Sequence, residues 1–540
     1  MKISNENNSK LKRYLLLLIG ISAIIRGLMA FFLDLGNNEA YYWTYGLYPD
    51  MSHLDHPPMI GWFIQLFTVN LYFKGEFFLR FAAIVVGSLN TWIIFVLGRR
   101  IKNELTGFYA AILYTASVYC TVFIGTFINP DTPQSLFYLL SIYFLHEGLI
   151  VKYEKCEESK ILCRLSLIIA GLCIGLAMLS KYSSVFLWAG AGVYILTGDR
   201  KILKEPFLYI SAAISLLFLT PVFLWNIDNN FASFSYQGAR LLSAENGINI
   251  KFFLEELSGA FIYNNPINII IIVAAIFSYK KIKFLGVSQH NLLLSLALPI
   301  IFFFLIVSLF TDTMPHWSAP GYFTLILIAA AYLASKYQIA KNNKKRIVLP
   351  APLRYSLSAV LIIISVGIGH YFTGFLNFDF KPEKEIKIGN NDFTLESYGW
   401  SKLAKEFKIL REEDIKSGKM TSKTFILSSL WSDASHYDFY IASPGNMIVK
   451  TIGPLYETRK YAWITDKLGS FRFGESAYCI ESSRDEKSVT DIGETYFKKM
   501  ELAKTVYIKR FNKPVLRFKI YRFKELIRIP ERELCSFTKY

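Results

Sequence analysis

The sequence predicts a polytopic α-helical membrane protein whose last third forms a soluble α/β domain. Of its 540 residues, 53% are hydrophobic and only 19% are charged, whereas soluble domains are nearer a quarter charged. Apolar runs close to the ~20 residues that cross a bilayer recur until about residue 375 and stop there. This composition excludes intrinsic disorder, a collagen-like fibre and a small disulfide scaffold, and it argues against an ordinary cytosolic enzyme.

About eleven apolar runs are predicted to cross the membrane, and up to thirteen spans would result if the shorter runs also cross. The first run is interpreted as an anchor rather than a cleaved signal peptide, because it is long and no small-residue cleavage site follows it. The run at 59–73 is short and predicts an interfacial or re-entrant helix. The predicted spans are 13–33, 77–97, 106–125, 132–149, 163–179, 183–197, 206–225, 256–278, 291–311, 317–335 and 353–374.

The distribution of basic residues predicts the orientation of these spans. With the N-terminus in the cytoplasm, about two dozen Lys and Arg residues fall in the inner loops, and only five fall in the short outer loops. Cytoplasmic loops carry such an excess of basic residues, which also agrees with the net charge of +17. Residues 1–375 are therefore predicted as the transmembrane domain, and residues 376–540 as a soluble domain on the outer face.

The C-terminal domain is predicted to combine strands and helices. Residues 376–540 are mixed polar and are about the size of one soluble domain. TFILSSLW (424–431) and VLRFKIYRF (515–523) have strand-like apolar runs or alternation, and SYGWSKLAKEFKILREE (397–413) has a helical pattern. The sequence therefore predicts a small α/β domain.

Three further features leave alternatives open. Arg26 lies midway along the first span, where it is expected to face the interior beside an acid of the first loop or a substrate. Cys479 and Cys535 could pair in an oxidising compartment. The basic run 498–532 is either a surface for membrane-lipid headgroups or a solvated strand face.

Under this topology the unusual polar residues converge on the outer ends of the spans. Chance scatter would have placed some of them on the opposite side. The first outer loop contributes Asp34, Glu39, Asp50, His53, Asp55 and His56; later outer segments contribute Asp131, Lys181, Tyr182, Gln237, Arg240, His316 and Trp317.

Carboxylates beside isolated cations suit a transfer reaction at an anomeric carbon that bears a phosphate. A carboxylate can accept the proton of the acceptor hydroxyl, and the cations can stabilise the charge of the departing phosphate. Glu39 and Asp55 are the candidate catalytic bases, and Lys181 and Arg240 are the candidate phosphate ligands. The alternative is that the loop acids are only solvated and that Lys181 extends to a membrane interface.

The first outer loop also offers a candidate metal set. His53, Asp55 and His56 form an HxDH cluster that, with Glu39, could ligate a divalent metal. The spacing matches no zinc signature, and the two prolines that follow equally favour a rigid turn that positions Asp55. A metal cofactor therefore stays open. The sequence contains no nucleotide-binding loop, Rossmann fingerprint or nucleic-acid motif, which favours a donor other than a nucleotide sugar.

Stretches along nearly the whole chain carry a family resemblance. They are NNEAYYWTYGLYPDMSHLDHPPMIGWFI, INPDTPQSLFYLLSIYFL, GLAMLSKYSSVFL, PVFLWNIDNNFASFSYQGAR and MPHWSAPGYFTLI, with ESYGWSKLAKEF and YETRKYAW in the last domain. The sequence resembles the bacterial protein O-mannosyltransferase-like (PMT-like) superfamily of GT-C membrane glycosyltransferases, which includes the aminoarabinose transferase of lipid A. The resemblance implies a GT-C fold in a bacterial inner membrane, with the C-terminal domain in the periplasm.

The resemblance also implies an activity, which is inverting transfer of a sugar from a polyprenyl-phosphate donor to lipid A, lipopolysaccharide core or another envelope glycan. Family members usually carry an Asp-Glu pair in the first outer loop, and here the pair is Asn38-Glu39. The base is therefore Glu39 or Asp55, and altered activity stays open, as does the divalent metal that parts of the superfamily use. The expected substrate contacts are Asn38, Tyr42, His53, His56, Asp131, Lys181, Tyr182, Gln237, Arg240, His316 and Trp317.

Other functions compete with this hypothesis. A transporter or flippase for a lipid-linked sugar would show charged residues at mid-membrane and broken helices, and Arg26 is the one such residue in this sequence. A silent scaffold is favoured only by Asn38. Within enzymes, protein O-glycosylation competes with lipid A modification, and the basic tail favours a phosphorylated lipid acceptor.

Overall fold

A computed structural model describes residues 2–150, 157–242, 247–339, 349–376, 389, 392–484 and 489–530. The first sixteen helices are α1 (Lys2–Phe32), α2 (Asn37–Leu47), α3 (Met59–Phe67), α4 (Glu76–Ile101), α5 (Glu104–Thr115), α6 (Asp131–Leu149), α7 (Glu157–Ser180), α8 (Phe186–Thr197), α9 (Pro206–Leu217), α10 (Thr220–Asp228), α11 (Ala232–Leu242), α12 (Ile250–Tyr263), α13 (Pro266–Ser278), α14 (Val287–Val307), α15 (Tyr322–Ile339) and α16 (Ala351–Thr373). The later elements are α17 (Trp400–Lys416), β1 (Phe425–Ser428), α18 (Trp431–Tyr437), β2 (Val449–Thr451), α19 (Leu455–Thr458), α20 (Tyr461–Lys467), β3 (Ala477–Ser482), α21 (Val489–Tyr496), β4 (Phe497–Arg510) and β5 (Lys513–Leu526).

The described residues form two compact units. The first unit contains Met1–Phe31 and Asp50–Ile363, and the second contains Phe32–Pro49 and Ile364–Tyr540. The second unit therefore includes α2, which the sequence places in the first outer loop. Each unit is described below by itself.

Seven helices in the described ranges are long and apolar enough to cross a bilayer. A chain with this many apolar helices is a multi-pass membrane protein. The seven coincide with predicted spans; the other four predictions correspond to α5, α6, α8 and the pair α12–α13, and the total of eleven stays a prediction. The seven are Ser9–Phe32, Glu76–Ile101, Lys160–Ser180, Pro206–Asp228, Val287–Val307, Ala319–Tyr337 and Ala351–Thr373.

The span predicted at 256–278 is not one straight helix. Helices α12 and α13 are bent by 96° at the break between them, where Asn265 has a φ of 69° and precedes Pro266. Proline disfavours helical geometry in the residue before it and cannot donate a backbone hydrogen bond. The Asn265 side chain then accepts a hydrogen bond of 3.1 Å from the backbone N–H of Ile267, which starts α13.

The span predicted at 106–125 is also interrupted, because α5 ends at Thr115 and a π-helical turn follows. The side-chain amide of Asn265 donates to the carbonyl of Ala116 at 2.9 Å. The hydroxyl of Thr121 donates to the carbonyl of Thr115 at 2.6 Å. Carbonyls that a continuous helix would satisfy internally are here satisfied by side chains, as burial in an apolar bundle requires.

Arg26 is fully buried in the last third of α1. A guanidinium nitrogen lies 3.4 Å from the hydroxyl oxygen of Thr121, and no carboxylate among the described residues of this unit pairs with it. Two glycines make room for the side chain, since a Cβ added at Gly87 would lie 2.6 Å from Nη1, and one added at Gly125 would lie 2.9 Å from Nε. An acidic partner from the first loop, one of the two alternatives that the sequence leaves open for Arg26, is absent from that described set.

The second unit contains a five-stranded sheet with the order β2-β1-β3-β5-β4. Strands β2, β1 and β3 are parallel, whereas β5 is antiparallel to both β3 and β4. The strands predicted at 424–431 and 515–523 are confirmed as β1 and β5, and the helix predicted at 397–413 is confirmed as α17. Cys479 is buried in β3, but Cys535 lies outside the described residues, so their disulfide stays a prediction.

Within the basic run 498–532, residues 498–526 belong to the antiparallel hairpin of β4 and β5. Several of its cations are already paired with acids of the second unit, which leaves fewer of them for lipid headgroups. The pairs are Lys498–Glu525, Lys504–Glu406, Arg510–Asp392, Lys519–Glu481 and Arg522–Asp414.

Helix α2 packs against C-terminal residues of the second unit. The ring of Tyr41 lies 4.8 Å from that of Trp431, and a ring nitrogen of His436 lies 3.0 Å from the amide oxygen of Asn37. The ammonium of Lys460 donates to the carbonyl of Tyr48 at 2.7 Å. These contacts give hydrogen-bond partners to the side chain of Asn37 at the start of α2 and to the carbonyl of Tyr48 after its end.

Asp438 is a buried acid in the second unit. Burial raises the pKa of its carboxyl to about 7, and the hydroxyl of Tyr461 donates to it at 3.1 Å. Because the unfolded chain has an ordinary carboxyl pKa near 4, the folded state holds this proton over a pH range in which the unfolded state has released it.

We expect Asp438 to make the stability of the protein fall as pH rises. Its contribution is fully present below about pH 4 and is lost as the pH rises through 7, by roughly 4 kcal/mol. Thermal unfolding of the full chain in detergent between pH 4.5 and 8 measures this. The variant Asp438→Asn does not titrate, so its curve should lack this fall; equal pH dependence in both proteins would contradict the assignment.

The space around Arg26 predicts a second stability effect. In Gly125→Ala the new methyl group would lie 2.6 Å from the carbonyl oxygen of Cys120, and relieving such a clash costs about 1–3 kcal/mol. The matched control is Gly20→Ala on α1, where nothing lies within 4 Å of the added Cβ. We expect a lower melting temperature for Gly125→Ala only; an unchanged value would mean that the bundle accommodates the methyl group.

Candidate active site

The site residues of the first unit lie where helices begin or end. Asp131 is the first residue of α6, and Lys181 immediately follows the last residue of α7. Arg240 lies near the end of α11, and His316 and Trp317 lie in the turn between α14 and α15. Apolar helices end where the sequence turns polar, so the ionisable residues of the site stand at or near helix ends.

Lys181 and Asp131 form a buried ion pair. The ammonium Nζ lies 2.9 Å from each carboxylate oxygen, and the hydroxyl of Tyr119 donates to the same carboxylate at 3.0 Å. Burial lowers the pKa of Lys181, the charge of Asp131 opposes that effect, and Arg240 adds to the lowering. The predicted second-loop acid and the predicted phosphate ligand are therefore direct partners.

The turn after α7 is fixed by hydrogen bonds to α6. The side-chain amide of Gln134 donates to the hydroxyls of Ser183 and Ser184, at 3.1 and 2.9 Å. The backbone N–H of Lys181 bonds to the carbonyl of Ala177 at 2.9 Å. The backbone on both sides of the ion pair is thus held by neighbouring contacts, which limits the movement of the ammonium group.

Two imidazoles share the electrostatic environment of these cations. Burial lowers the pKa of His56 well below 6.5, and the charges of Lys181 and Arg240 lower it further, although Asp131 opposes them. Burial and the same two cations also hold the pKa of His316 well below 6.5. Both imidazoles are therefore neutral at physiological pH, and each can donate one hydrogen bond and accept another.

Arg240 is held by aromatic rings. Its guanidinium carbon lies 4.9 Å from the ring centre of Trp317 and 5.7 Å from that of Tyr236. No carboxylate among the described residues of the unit pairs with Arg240. The hydroxyl of Thr311 donates to its backbone carbonyl at 3.2 Å. A cation with this environment keeps hydrogen-bond donors for an anionic ligand.

Helix α11 also contacts the segment that precedes α3. The side-chain amide of Gln237 on this helix donates to the backbone carbonyl of Asp55. On the same helix, the hydroxyl of Ser233 lies 3.2 Å from that of Tyr182, which follows α7. Asp55 and His53 are both buried. The first unit therefore brings Asp55 to α11, which also carries Arg240.

Three predicted residues belong to the second unit. The Glu39 side chain accepts a hydrogen bond of 3.1 Å from the backbone N–H of Gly36, so it caps the start of α2. Tyr42 is buried on the same helix, whereas Asn38 is exposed. The two candidate bases, Glu39 and Asp55, thus lie in different units.

The residues of the first loop do not fit a metal site. No group of three or more His, Cys, Asp or Glu side chains within the described ranges is arranged to hold a metal ion. His53, Asp55 and His56 therefore form no such set, despite their HxDH spacing.

The sequence did not predict Tyr119, which donates one hydrogen bond to Asp131, or Gln134, which donates two to the turn after α7. Tyr119 lies in an apolar run and Gln134 within a helix, so neither stands out by spacing. A tyrosine one helical segment before a buried acid is a weak signal, because buried tyrosines commonly find any nearby acceptor.

Residues 55–225 match the family model for dolichyl-phosphate-mannose-protein mannosyltransferase. The chain is also 21% identical over 312 residues to the lipid A galacturonosyltransferase RgtD of Rhizobium johnstonii. That match covers 57% of this chain and 61% of RgtD, so the chain spans about three fifths of the length of this relative.

Solved structures share the fold. The structure of ArnT from Cupriavidus metallidurans bound to undecaprenyl phosphate gives a TM-score of 0.61 at 13% identity, and the apo structure gives 0.59 at 12%. Each match covers 94% of this chain and 98% of ArnT. The family match includes Asp55, Asp131 and Lys181, whereas Arg240 and His316 follow it. The chain therefore has the fold of these ArnT structures, and its residues 55–225 are similar to the mannosyltransferase family.

Proposed function

We propose that this protein is a glycosyltransferase that moves a sugar from a polyprenyl-phosphate donor to lipid A or lipopolysaccharide core. The reaction takes place on the periplasmic face of the bacterial inner membrane and inverts the anomeric carbon. The observation that carries the proposal is the buried Asp131–Lys181 pair, with Arg240 and two neutral imidazoles in the same electrostatic environment. The fold shared with ArnT, solved with undecaprenyl phosphate, supports it.

The two cations suit the phosphate of the donor. Arg240 lacks a carboxylate partner among the described residues, and aromatic rings support its guanidinium. Asp131 opposes the lowering of the Lys181 pKa by burial, which favours the charged ammonium. Charge-assisted hydrogen bonds from both groups would strengthen as the phosphate departs and gains negative charge.

Asp55 is the base that this geometry favours. It lies in the same unit as the cations, whereas the Glu39 carboxylate already caps α2. In the proposed step the Asp55 carboxylate takes the proton of the acceptor hydroxyl, and the hydroxyl oxygen bonds to the anomeric carbon. The bond from that carbon to the phosphate oxygen breaks, and its electron pair leaves with the polyprenyl phosphate. A single displacement of this kind inverts the anomeric centre.

Two other functions have an observation in their favour. The matching family model describes protein mannosyltransferases, which favours a protein acceptor. The 96° break between α12 and α13 is a feature expected of a transporter. A protein mannosyltransferase would transfer the sugar to protein instead of lipid A. A transporter would leave the donor unchanged in detergent solution, where no membrane separates two compartments.

The first test is sugar transfer by the purified full chain in detergent, with undecaprenyl-phosphate sugars, lipid A and periplasmic proteins supplied together. Mass spectrometry should find lipid A heavier by one sugar. Modified protein with unmodified lipid A would move the assignment to protein O-glycosylation. Consumption of no donor would refute a transferase for the donors supplied and would favour the transporter.

The cation assignment predicts weaker binding of the donor phosphate. Arg240→Ala and Lys181→Ala should each raise the Kd for undecaprenyl phosphate roughly 10-fold or more, because each removes a charge-assisted hydrogen bond. Lys251→Ala is the matched control, since the Lys251 side chain is 77% exposed. Binding is measured by titration in detergent. Unchanged binding in Arg240→Ala would refute the phosphate site.

The base assignment predicts a loss of turnover. Asp55→Asn should lower kcat by at least roughly 100-fold, the effect of a general base, with binding of undecaprenyl phosphate little changed. Glu39→Gln keeps an oxygen that can cap α2 and should lose far less. The control is Asp228→Asn at the exposed end of α10. A larger loss in Glu39→Gln would reverse the two roles, and full activity in both would refute a first-loop base.

A further inference from the structure

Glu256 is a fully buried acid that the proposed reaction does not use. It lies on α12, and its two carboxylate oxygens accept different hydrogen bonds, from the hydroxyl of Thr313 at 2.9 Å and from that of Ser318 at 2.9 Å. No cation among the described residues pairs with it. Burying a carboxylate without a cation is costly. The two hydroxyl groups offset part of this cost, and the carboxylate in turn fixes their positions.

Both hydroxyls belong to the turn between α14 and α15. Thr313 and Ser318 lie on either side of His316 and Trp317, so the Glu256 carboxylate bridges the base of this turn. A second contact joins α12 to the same turn, because a Cβ added at Gly259 would lie 2.1 Å from Cγ of Pro315. The helix therefore holds the turn by two hydrogen bonds and by one close approach that only glycine permits.

This turn supports the guanidinium and the backbone of Arg240. The ring of Trp317 lies under the guanidinium of Arg240, at 4.9 Å, and the hydroxyl of Thr311 donates to the Arg240 backbone carbonyl at 3.2 Å. The ring of His316 packs on that of Phe123, with 4.6 Å between their centres. Displacing the turn would move the surface on which Arg240 rests.

We propose that Glu256 is a positioning residue that fixes the turn from Thr313 to Ser318 and thereby sets Arg240 for the donor phosphate. This inference rests on the proposed function. Glu256 acts through Trp317 and Arg240 and touches no reacting atom. Its loss therefore weakens binding of the phosphate, and it affects the transfer step less, because Asp55 and Lys181 stay in place.

The test compares Glu256→Ala with Glu256→Gln in the full chain. The alanine variant removes both hydrogen bonds, and we expect its Kd for undecaprenyl phosphate to rise about 5- to 10-fold, with kcat at saturating donor within about 2-fold of the wild type. Glutamine can accept from one hydroxyl and donate to the other, so it should restore the Kd to within about 2-fold. The control is Glu255→Ala, since the neighbouring Glu255 side chain is 51% exposed.

Two further variants disturb the same turn without changing Glu256. Thr313→Val removes one hydrogen bond and keeps the shape of the side chain, and Gly259→Ala pushes on Pro315 while leaving the carboxylate in place. Both should weaken binding of undecaprenyl phosphate. They decide the proposal if Glu256→Ala yields no folded protein, and unchanged Kd values in both would overturn it.

A double variant separates this inference from the proposed function. If Glu256 acts through Arg240, adding Glu256→Ala to Arg240→Ala should cause little further loss of binding. Losses that multiply would overturn the coupling, as would a Glu256→Ala variant that only melts at a lower temperature. If Arg240→Ala itself leaves binding unchanged, the proposed phosphate site fails; if it weakens binding and Glu256→Ala does not, only the positioning role fails.

Discussion

A buried ion pair at the ends of two apolar helices is the constraint on which the first unit's site depends. Taking either charge out of water costs several kcal/mol, and losing one partner leaves the other uncompensated. Both carboxylate oxygens of Asp131 lie 2.9 Å from the Lys181 ammonium, so the first residue of α6 is fixed against the residue that follows α7. Arg240 lowers the pKa of Lys181, and both cations lower the pKa of His56 and of His316, so the charges of the site act on one another.

The fold could be predicted where it follows from hydrophobic length and alternation. Seven apolar helices, the strands β1 and β5, and helix α17 all carry patterns that single segments can show. The interruptions after Thr115 and before Pro266 could not be predicted in the same way. Pro266 alone allows a kinked or a broken helix, and the outcome depends on Asn265, whose side chain satisfies a carbonyl 149 positions away. Such pairing exists only once the segments have packed.

The candidate site was predictable as a set of residues but not as a set of partners. Ionisable groups in an apolar chain stand out, and the positive-inside rule assigns them to one face, which singled out Asp131, Lys181 and Arg240. Which acid pairs with which cation depends on distances that spacing does not contain. Arg26 illustrates this, because glycines rather than a carboxylate accommodate it. The sequence did not predict a role for Glu256, because a single acid in an apolar run indicates only that the run is interrupted.

For the proposed reaction, charge balance accounts for a compensated lysine beside an arginine without a carboxylate. A polyprenyl-phosphate sugar carries one negative charge, which Arg240 can balance because Asp131 already balances Lys181. A second charge develops only as the sugar leaves. His56 and His316, kept neutral by burial and the two cations, can then donate hydrogen bonds that strengthen with that charge. Interactions that grow in the transition state raise the rate of transfer, whereas a further fixed cation would mainly tighten binding of the donor before the reaction.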